Sequence, residues 1–328
     1  MRNQADQSTI PPAGPWRTGI LADPAHEENP VPLKIAIARA LIRLLSLMPL
    51  RLLHWLAVPL GCLLDAQPSR KQAVIGLHLK LAFPDLGDAG VRRLKRRHWV
   101  EMARLGLETG AVWHWSRERI LAHVPDVSGW EHVEAAQASG RGFLMVGAHI
   151  GNWEILSLYA TLRQPMAYLY KAPKDPKIDA LITASRERFG GELIASGSPA
   201  MRRLLAQLRR GGGIGLLADQ QPKQGEGRFV PFFGHEALTM TLVHRLAKRS
   251  NCAVLLTGTR RLPKGQGWAV TVEPADQRIH GEDEQAALTC LHEWLENQIR
   301  KAPAQYLWSY KRYSIRPEGE PELYPPRR

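Results

Sequence analysis

The chain has 328 residues, long enough to bury a large core and to form one large domain or two of ordinary size. Apolar types make up 44% of it, a globular composition that excludes a disordered chain. Lys and Arg number 44 against 31 Asp and Glu, and the resulting +13 favours an anionic partner: nucleic acid, anionic lipid or an acidic carrier protein. The three cysteines, Cys62, Cys252 and Cys290, form no CxxC and are odd in number. They argue against a disulfide framework or a cysteine-built zinc site and suit a reducing compartment.

Residues 1–30 are proline-rich, polar and aperiodic, and read as a disordered arm. Arg2 is not followed by an apolar core with a small-residue cleavage site, so the start is not a secretory signal. Residues 31–64 change character, with Lys34, Arg39, Arg43 and Arg51 interleaved among Leu, Ile and Trp. Leu44 to Leu64 is long enough to cross a bilayer, for which about 20 apolar residues are needed. Arg51 and His54 near its centre and Pro49 and Pro59 within it speak against a span. A helix lying in the membrane interface, residues 31–66, fits better. A buried helical hairpin is the plainer alternative.

From Ser69 the pattern becomes α/β. "DAGVRRLKRRHWVEMARLGLETG" reads as a helix beginning near Asp88. Its "VRRLKRRH" face would add attraction to anionic lipid, up to about 1 kcal/mol per basic residue near the surface. Then come short apolar runs at 143–148, 166–170, 213–218, 252–258 and 268–273, each of strand length. Between them 155–162, 178–189, 199–209 and 237–249 read as helices, and "EQAALTCLHEWLENQIRKAP" closes the pattern as an amphipathic helix. Strands alternating with helices predict an α/β fold with a mainly parallel sheet flanked by helices.

The informative stretch is "GFLMVGAHIGNWEIL": a buried strand, a short turn, then a helix. His149 falls where the strand ends, the place where parallel α/β sheets bind ligands. Glu154 falls in the first helical turn. On an uninterrupted helix, positions five apart point about 140° from one another. The two meet only if His149 lies outside the helix and its ring folds back, a turn that Gly147 and Gly151 permit. Roughly one His-x4-acid pair is expected by chance in this composition, so spacing alone does not make a site.

The frame around the pair does more. "GAHIGNWE" resembles the His-x4-acid box of the lipid A biosynthesis lauroyl/myristoyl acyltransferases, the bacterial late acyltransferases. "LAFPDL" (81–86), "YKAPKDPKIDALITASRERFGGELI" (170–194), "LLADQQPKQGEGRFVPFFGHEALTMTLVHRLAKRSNCAV" (216–254) and "PAQYLWSYKRY" (303–313) are similar to that family's other blocks, in the same order. Two positions depart from it. Lys171 stands where the family often has Arg, and Tyr310 where it often has His. Both bear on the identity of the acceptor more than on the reaction.

The resemblance implies a glycerol-3-phosphate-acyltransferase-like domain over 67–328. It implies an O-acyltransferase that moves a fatty acyl chain from acyl carrier protein to a hydroxyl of a lipid A precursor. The place implied is the cytoplasmic face of the cell inner membrane, with no resident cofactor or metal. His149 would be the general base, since a neutral imidazole suits that role at cellular pH, and Glu154 would orient it. Asn152, Lys171, Arg188 and Asp219 are the candidate substrate-binding residues, with Asn152 as readily a local helix cap and Asp219 as readily a structural loop-turn residue. "FVPFFG" (229–234) packs the core or lines an acyl channel. Another glycolipid or a lysophospholipid as acceptor, or a non-catalytic membrane-binding protein, are the alternatives. Nucleic acid is disfavoured by the absence of a zinc-finger spacing, an RNA-recognition signature or a helicase loop. A metallohydrolase would need more ligands than this box supplies.

Overall fold

The computed structural model describes residues 33–197 and 199–324. The expected arm, and the first two residues of the segment expected at the membrane, lie outside the described residues. Two helices come first, α1 (Leu33–Leu47) and α2 (Leu50–Ala66). They divide the apolar stretch from Leu44 to Leu64. Pro49 sits between them with extended backbone, φ −62° and ψ 139°, and it has no N–H with which to continue α1. No helix among the described residues is long and apolar enough to cross a membrane.

Each face of α2 has a different environment. Leu50, Leu53, His54, Ala57 and Gly61 are buried, while Leu52, Trp55, Val58 and Leu63 are exposed. The buried face lies on α4 (Gly87–Leu107), after α3 (Arg70–Ala82). Contact is close at Gly61, where a Cβ would come within 2.4 Å of the Val100 Cα. Two short helices follow, α5 (Thr109–His114) and α6 (Arg117–Ala122).

The α/β part begins with β1 (Asp126–Ser128), α7 (Trp130–Ala138), β2 (Phe143–Gly147) and α8 (Trp153–Thr161). It continues through β3 (Met166–Tyr170), α9 (Pro176–Glu187), β4 (Glu192–Ala195), α10 (Ala200–Arg209) and β5 (Gly213–Leu217). A hairpin, β6 (Gly227–Phe232) and β7 (His235–Met240), leads to α11 (Leu242–Ser250), β8 (Ala253–Arg261), β9 (Trp268–Pro274) and α12 (Glu284–Lys301). Seven strands form one sheet in the order β1-β9-β8-β2-β5-β3-β4. All neighbours are parallel except β8 and β9, which form an antiparallel pair. The expected α/β architecture with a mainly parallel sheet is therefore present.

One expected element differs. Residues 237–249 are not a single helix: the first four belong to β7, and α11 starts at Leu242. The "HEALTM" stretch is a strand because "GRFVPF" pairs with it, Val230 opposite Ala237 and Phe229 opposite Leu238. Phe233 and Gly234 make the turn with φ of 50° and 76°, the positive pair that suits the twist of a two-residue hairpin. Phe232 and Phe233 are buried in the core.

β2 lies at the centre and all five of its residues are buried. Its side chains alternate between two apolar layers. Leu144 and Val146 join Leu204, Leu246, Leu291 and Leu295 on the side of α10, α11 and α12. Phe143 and Met145 join Trp115, Leu158 and Trp268 on the side of α5 and α8. β5 pairs with β2 in parallel, Val146 opposite Leu216, and Ala218 donates to the Gly147 carbonyl at 2.9 Å. The residues that leave these two strands therefore emerge side by side.

Candidate active site

The loop after β2 is fixed by its backbone. Gly151 has φ +63°, and a Cβ there would lie 2.3 Å from the Thr259 carbonyl oxygen. Only glycine fits that approach and that conformation. The C-terminal segment lies along the loop's other edge. Leu307 N–H donates to the His149 carbonyl at 3.0 Å, Gly151 N–H donates to Gln305 at 3.1 Å, and Ile150 bridges to Tyr306. The chain around 303–313 thus clamps the box from outside the sheet.

His149 leaves β2 and Asp219 leaves β5, and they meet. The His149 Nδ1 is 2.8 Å from Asp219 Oδ1, and the His149 backbone N–H donates to Oδ2 at 3.2 Å. A carboxylate accepting at Nδ1 places the ring proton there and leaves the lone pair on Nε2. The Gln220 amide nitrogen lies 3.3 Å from Nε2. Trp153 packs edge-on against the ring, centroids 4.9 Å apart. Asp219 is buried, which by itself would raise its pKa. The electrostatic interaction with His149 and hydrogen bonds from its side chain and backbone outweigh burial and hold the carboxyl below its usual value. Tyr306 stands beside it, its phenol pushed far up by burial and by the neighbouring carboxylate. Tyr310 accepts from the Gln221 N–H at 3.1 Å and steadies the exit of β5.

The expected partnership of His149 with Glu154 is not the contact made. Glu154 accepts two bonds from Arg186 of α9, one at 2.9 Å from Nε and a second from the same guanidinium. The physical reason lies in the sheet. Pairing of β2 with β5 brings Asp219 to the ring across 70 residues of sequence, while the helical turn beginning at Trp153 points Glu154 toward α9.

The other candidates are dispersed. Asn152 is fully buried. Its oxygen accepts from Ile155 N–H to cap α8, and its amide donates to Glu108 at 2.9 Å. It serves the box from within and is not positioned to touch an acceptor. Arg188 donates to the Val112 carbonyl at 2.6 Å and to that of Trp115, joining α9 to the end of α5; burial lowers its pKa to about 10. Lys171 is exposed at the end of β3. Sequence reasoning missed Gln220, whose one signal was its place next to Asp219, and Tyr306. It also missed the buried ionic centre under the loop. There Glu108 accepts from His54 at 2.7 Å, from Arg261 at 2.5 and 2.7 Å, and from Asn152. Burial would raise the Glu108 pKa, but Arg261 and His54 hold it down at about 2.

A mainly parallel α/β sheet thus carries a carboxylate-held imidazole at adjoining strand ends, an arrangement able to take a proton from a bound group. Sequence comparison supplies the family. Residues 30–314 match the bacterial lipid A biosynthesis acyltransferase family, and the chain belongs to it. It is 27% identical to the lipid A biosynthesis lauroyltransferase of Escherichia coli (strain K12) over 84% of this chain and 90% of that protein. It is 26% identical to the palmitoleoyltransferase of the same organism over the same shares. The myristoyltransferase is 24% identical over 78% of each chain. The protein is an acyltransferase.

Proposed function

We propose that this acyltransferase moves a fatty acyl chain from acyl carrier protein to a hydroxyl of a lipid A precursor, at the cytoplasmic face of the inner membrane, with His149 as general base. The acceptor class is supported by the family and by the names its relatives carry. One observation supports the mechanism most directly. Asp219 occupies Nδ1 of His149, so Nε2 carries the basic lone pair, which here faces the Gln220 amide. In the reaction, Nε2 takes the proton of the acceptor hydroxyl as the oxygen attacks the thioester carbonyl. The new C–O bond forms, the C–S bond breaks, and the imidazolium returns its proton to the leaving thiolate. Asp219 stabilises the cation in between. In this reading the acceptor hydroxyl takes the place of the Gln220 amide at Nε2. Ester exchange of this kind invokes no metal or redox cofactor.

Membrane contact is supported by the outer face of the first two helices. Leu33, Ile37, Leu41 and Leu44 of α1 and Leu52, Trp55 and Leu63 of α2 are exposed. Arg39, Arg43 and Arg51 are exposed among them. Apolar residues with flanking cations suit a helix lying in an anionic interface. The donor reading rests on the +13 charge, complementary to an acidic carrier, together with the family resemblance. The test is transfer by the purified full-length protein from acyl-acyl carrier protein to a lipid A precursor, read by mass spectrometry of the glycolipid. Addition of one acyl mass is expected. His149→Ala should reduce it by about 10²-fold or more. Normal transfer by that variant contradicts the assignment.

A further inference from the structure

A cavity of about 410 Å³ opens between α1, α5 and α9. That size falls in the usual range for small-ligand sites. Arg39, Ala40, Ile42 and Arg43 line it from α1, Trp113 and His114 from α5, and Leu181 from α9. The α1–α5 wall is close-packed: a Cβ on Gly110 would lie 2.5 Å from the Ile42 carbonyl oxygen and 2.5 Å from the Ser46 nitrogen. The floor is largely apolar and the charges are all of one sign. No carboxylate lines it, and neither Arg39 nor Arg43 forms an ion pair among the described residues. Arg188 and Arg43 are near enough to His114 that their charges, after burial, depress its pKa. Arg39 and Arg43, one helical turn apart at the edge of a largely apolar hollow, suit an anion that carries its own apolar part. The hollow beside α11 differs. Its Arg228 and Lys248 already hold Glu284 and Glu282.

The surroundings indicate what kind of anion fits. Along α1 the exposed apolar residues Ile37, Leu41 and Leu44 alternate with the cavity's Arg39, Ile42 and Arg43. Chains lying along that stripe would bring a head group to the arginines. On α9, Leu181 is five residues from Arg186, about 7.5 Å along the helix axis, and Arg186 is bound to Glu154 at the start of α8. α9 therefore runs from the cavity to the start of α8, the helix that follows the His149 loop.

We propose that this cavity binds the phosphate-bearing head of the amphiphilic acceptor, held by Arg39, Arg43 and His114, with its chains along the exposed face of α1. The acceptor role rests on the acyltransferase reading above; the cavity's preference for a phosphorylated amphiphile does not. Guanidinium pairs suit phosphate because their donors match its oxygens.

The test is calorimetric titration of the full-length protein with monomeric dihexanoyl phosphatidic acid, dihexanoyl phosphatidylcholine and inorganic phosphate. Phosphatidic acid should bind tightest. Arg39→Gln with Arg43→Gln should weaken it at least tenfold, and Leu181→Trp, which fills the cavity without touching charge, should do likewise. Removing the same charge from exposed α10 by Arg202→Gln with Arg209→Gln should leave binding unchanged. In transfer assays the Arg39/Arg43 variant should raise the acceptor KM with little change in kcat. His149→Ala should instead lower kcat and still bind phosphatidic acid as before. Equal binding of phosphatidylcholine, inorganic phosphate binding as tightly as the lipid, or full affinity in the Arg39/Arg43 and Leu181 variants overturns the proposal. Arginine-dependent binding without transfer to a lipid A precursor would sustain the cavity and refute the acyltransfer reading.

Discussion

The imidazole of His149 owes its orientation to a residue 70 positions away. Linear spacing favours Glu154, the acid within the same short box. Sheet pairing favours Asp219, and no local pattern encodes which strand lies beside β2. Asp219 directly follows the apolar run 213–218, so it was legible as a candidate but not as the partner. Of the two readings of Asn152, the helix cap is the one the structure shows. A polar residue beside a glycine turn reads as accessible, yet its amide is spent on a carboxylate that arrives from the end of α4. Its value is therefore structural. Asn152→Ala should lose a helix cap, about 1 kcal/mol, and a hydrogen bond to a charged group, about 1.5–3 kcal/mol. Urea denaturation should show a fall of that combined order. Unchanged stability would mean that neither bond contributes.

Among the elements, α2 has the most divided character, and composition alone could not divide it. Its exposed apolar side was legible as a membrane-facing surface. Its buried side was not, because His54 looked like an obstacle to membrane burial and is instead a ligand of Glu108 inside the protein. Glu108 joins α2, the loop after β2 and the end of β8 through His54, Asn152 and Arg261. Glu108→Ala would leave the buried guanidinium of Arg261 with Glu101 as its one remaining carboxylate among the described residues. Breaking a buried pair from one side costs about 3–5 kcal/mol, so thermal unfolding of this variant should begin well below wild type. A chain shortened to begin after residue 66 would likewise strip Leu50, Leu53 and Ala57 from the core, and should aggregate where the full chain is soluble in detergent. A well-folded truncated protein would show that α2 only covers the domain.

At the scale of the whole molecule, five strands were visible because each is a short apolar run between turn residues. β1 and β4 are three and four residues long, too short to carry a period. The β6–β7 hairpin was hidden because its second strand is made of good helix formers and is held by pairing alone. The same packed interior sets a pH response. Burial lowers the pKa of His78 and His98 to about 4 and, with the charge of Arg312, that of His292 to about 3. An unfolded chain takes up these protons near the ordinary histidine pKa of about 6.5. Between that value and about 4 the unfolded state binds more protons, so stability falls as pH falls, by up to about 1.4 kcal/mol per pH unit for each histidine. Above it these groups have no effect. The depressed carboxyls of Asp219 and Glu108 add a further loss only below about pH 4. Melting temperatures measured from pH 7.5 to 5 should therefore drop steadily below about pH 6.5. A flat profile would mean that the buried imidazoles accept protons in the folded state.

The most direct test compares kcat for Asp219→Asn and Glu154→Gln in the same transfer assay. If Asp219 holds the ring and stabilises the imidazolium, its amide variant should lose between about 10² and 10⁴ in kcat with acceptor KM little changed. Glu154→Gln removes a charge that faces Arg186, on a partly solvated pair, and should cost less than about tenfold. The reverse order, with Asp219→Asn near wild type and Glu154→Gln inactive in a folded protein, would contradict this account of the site.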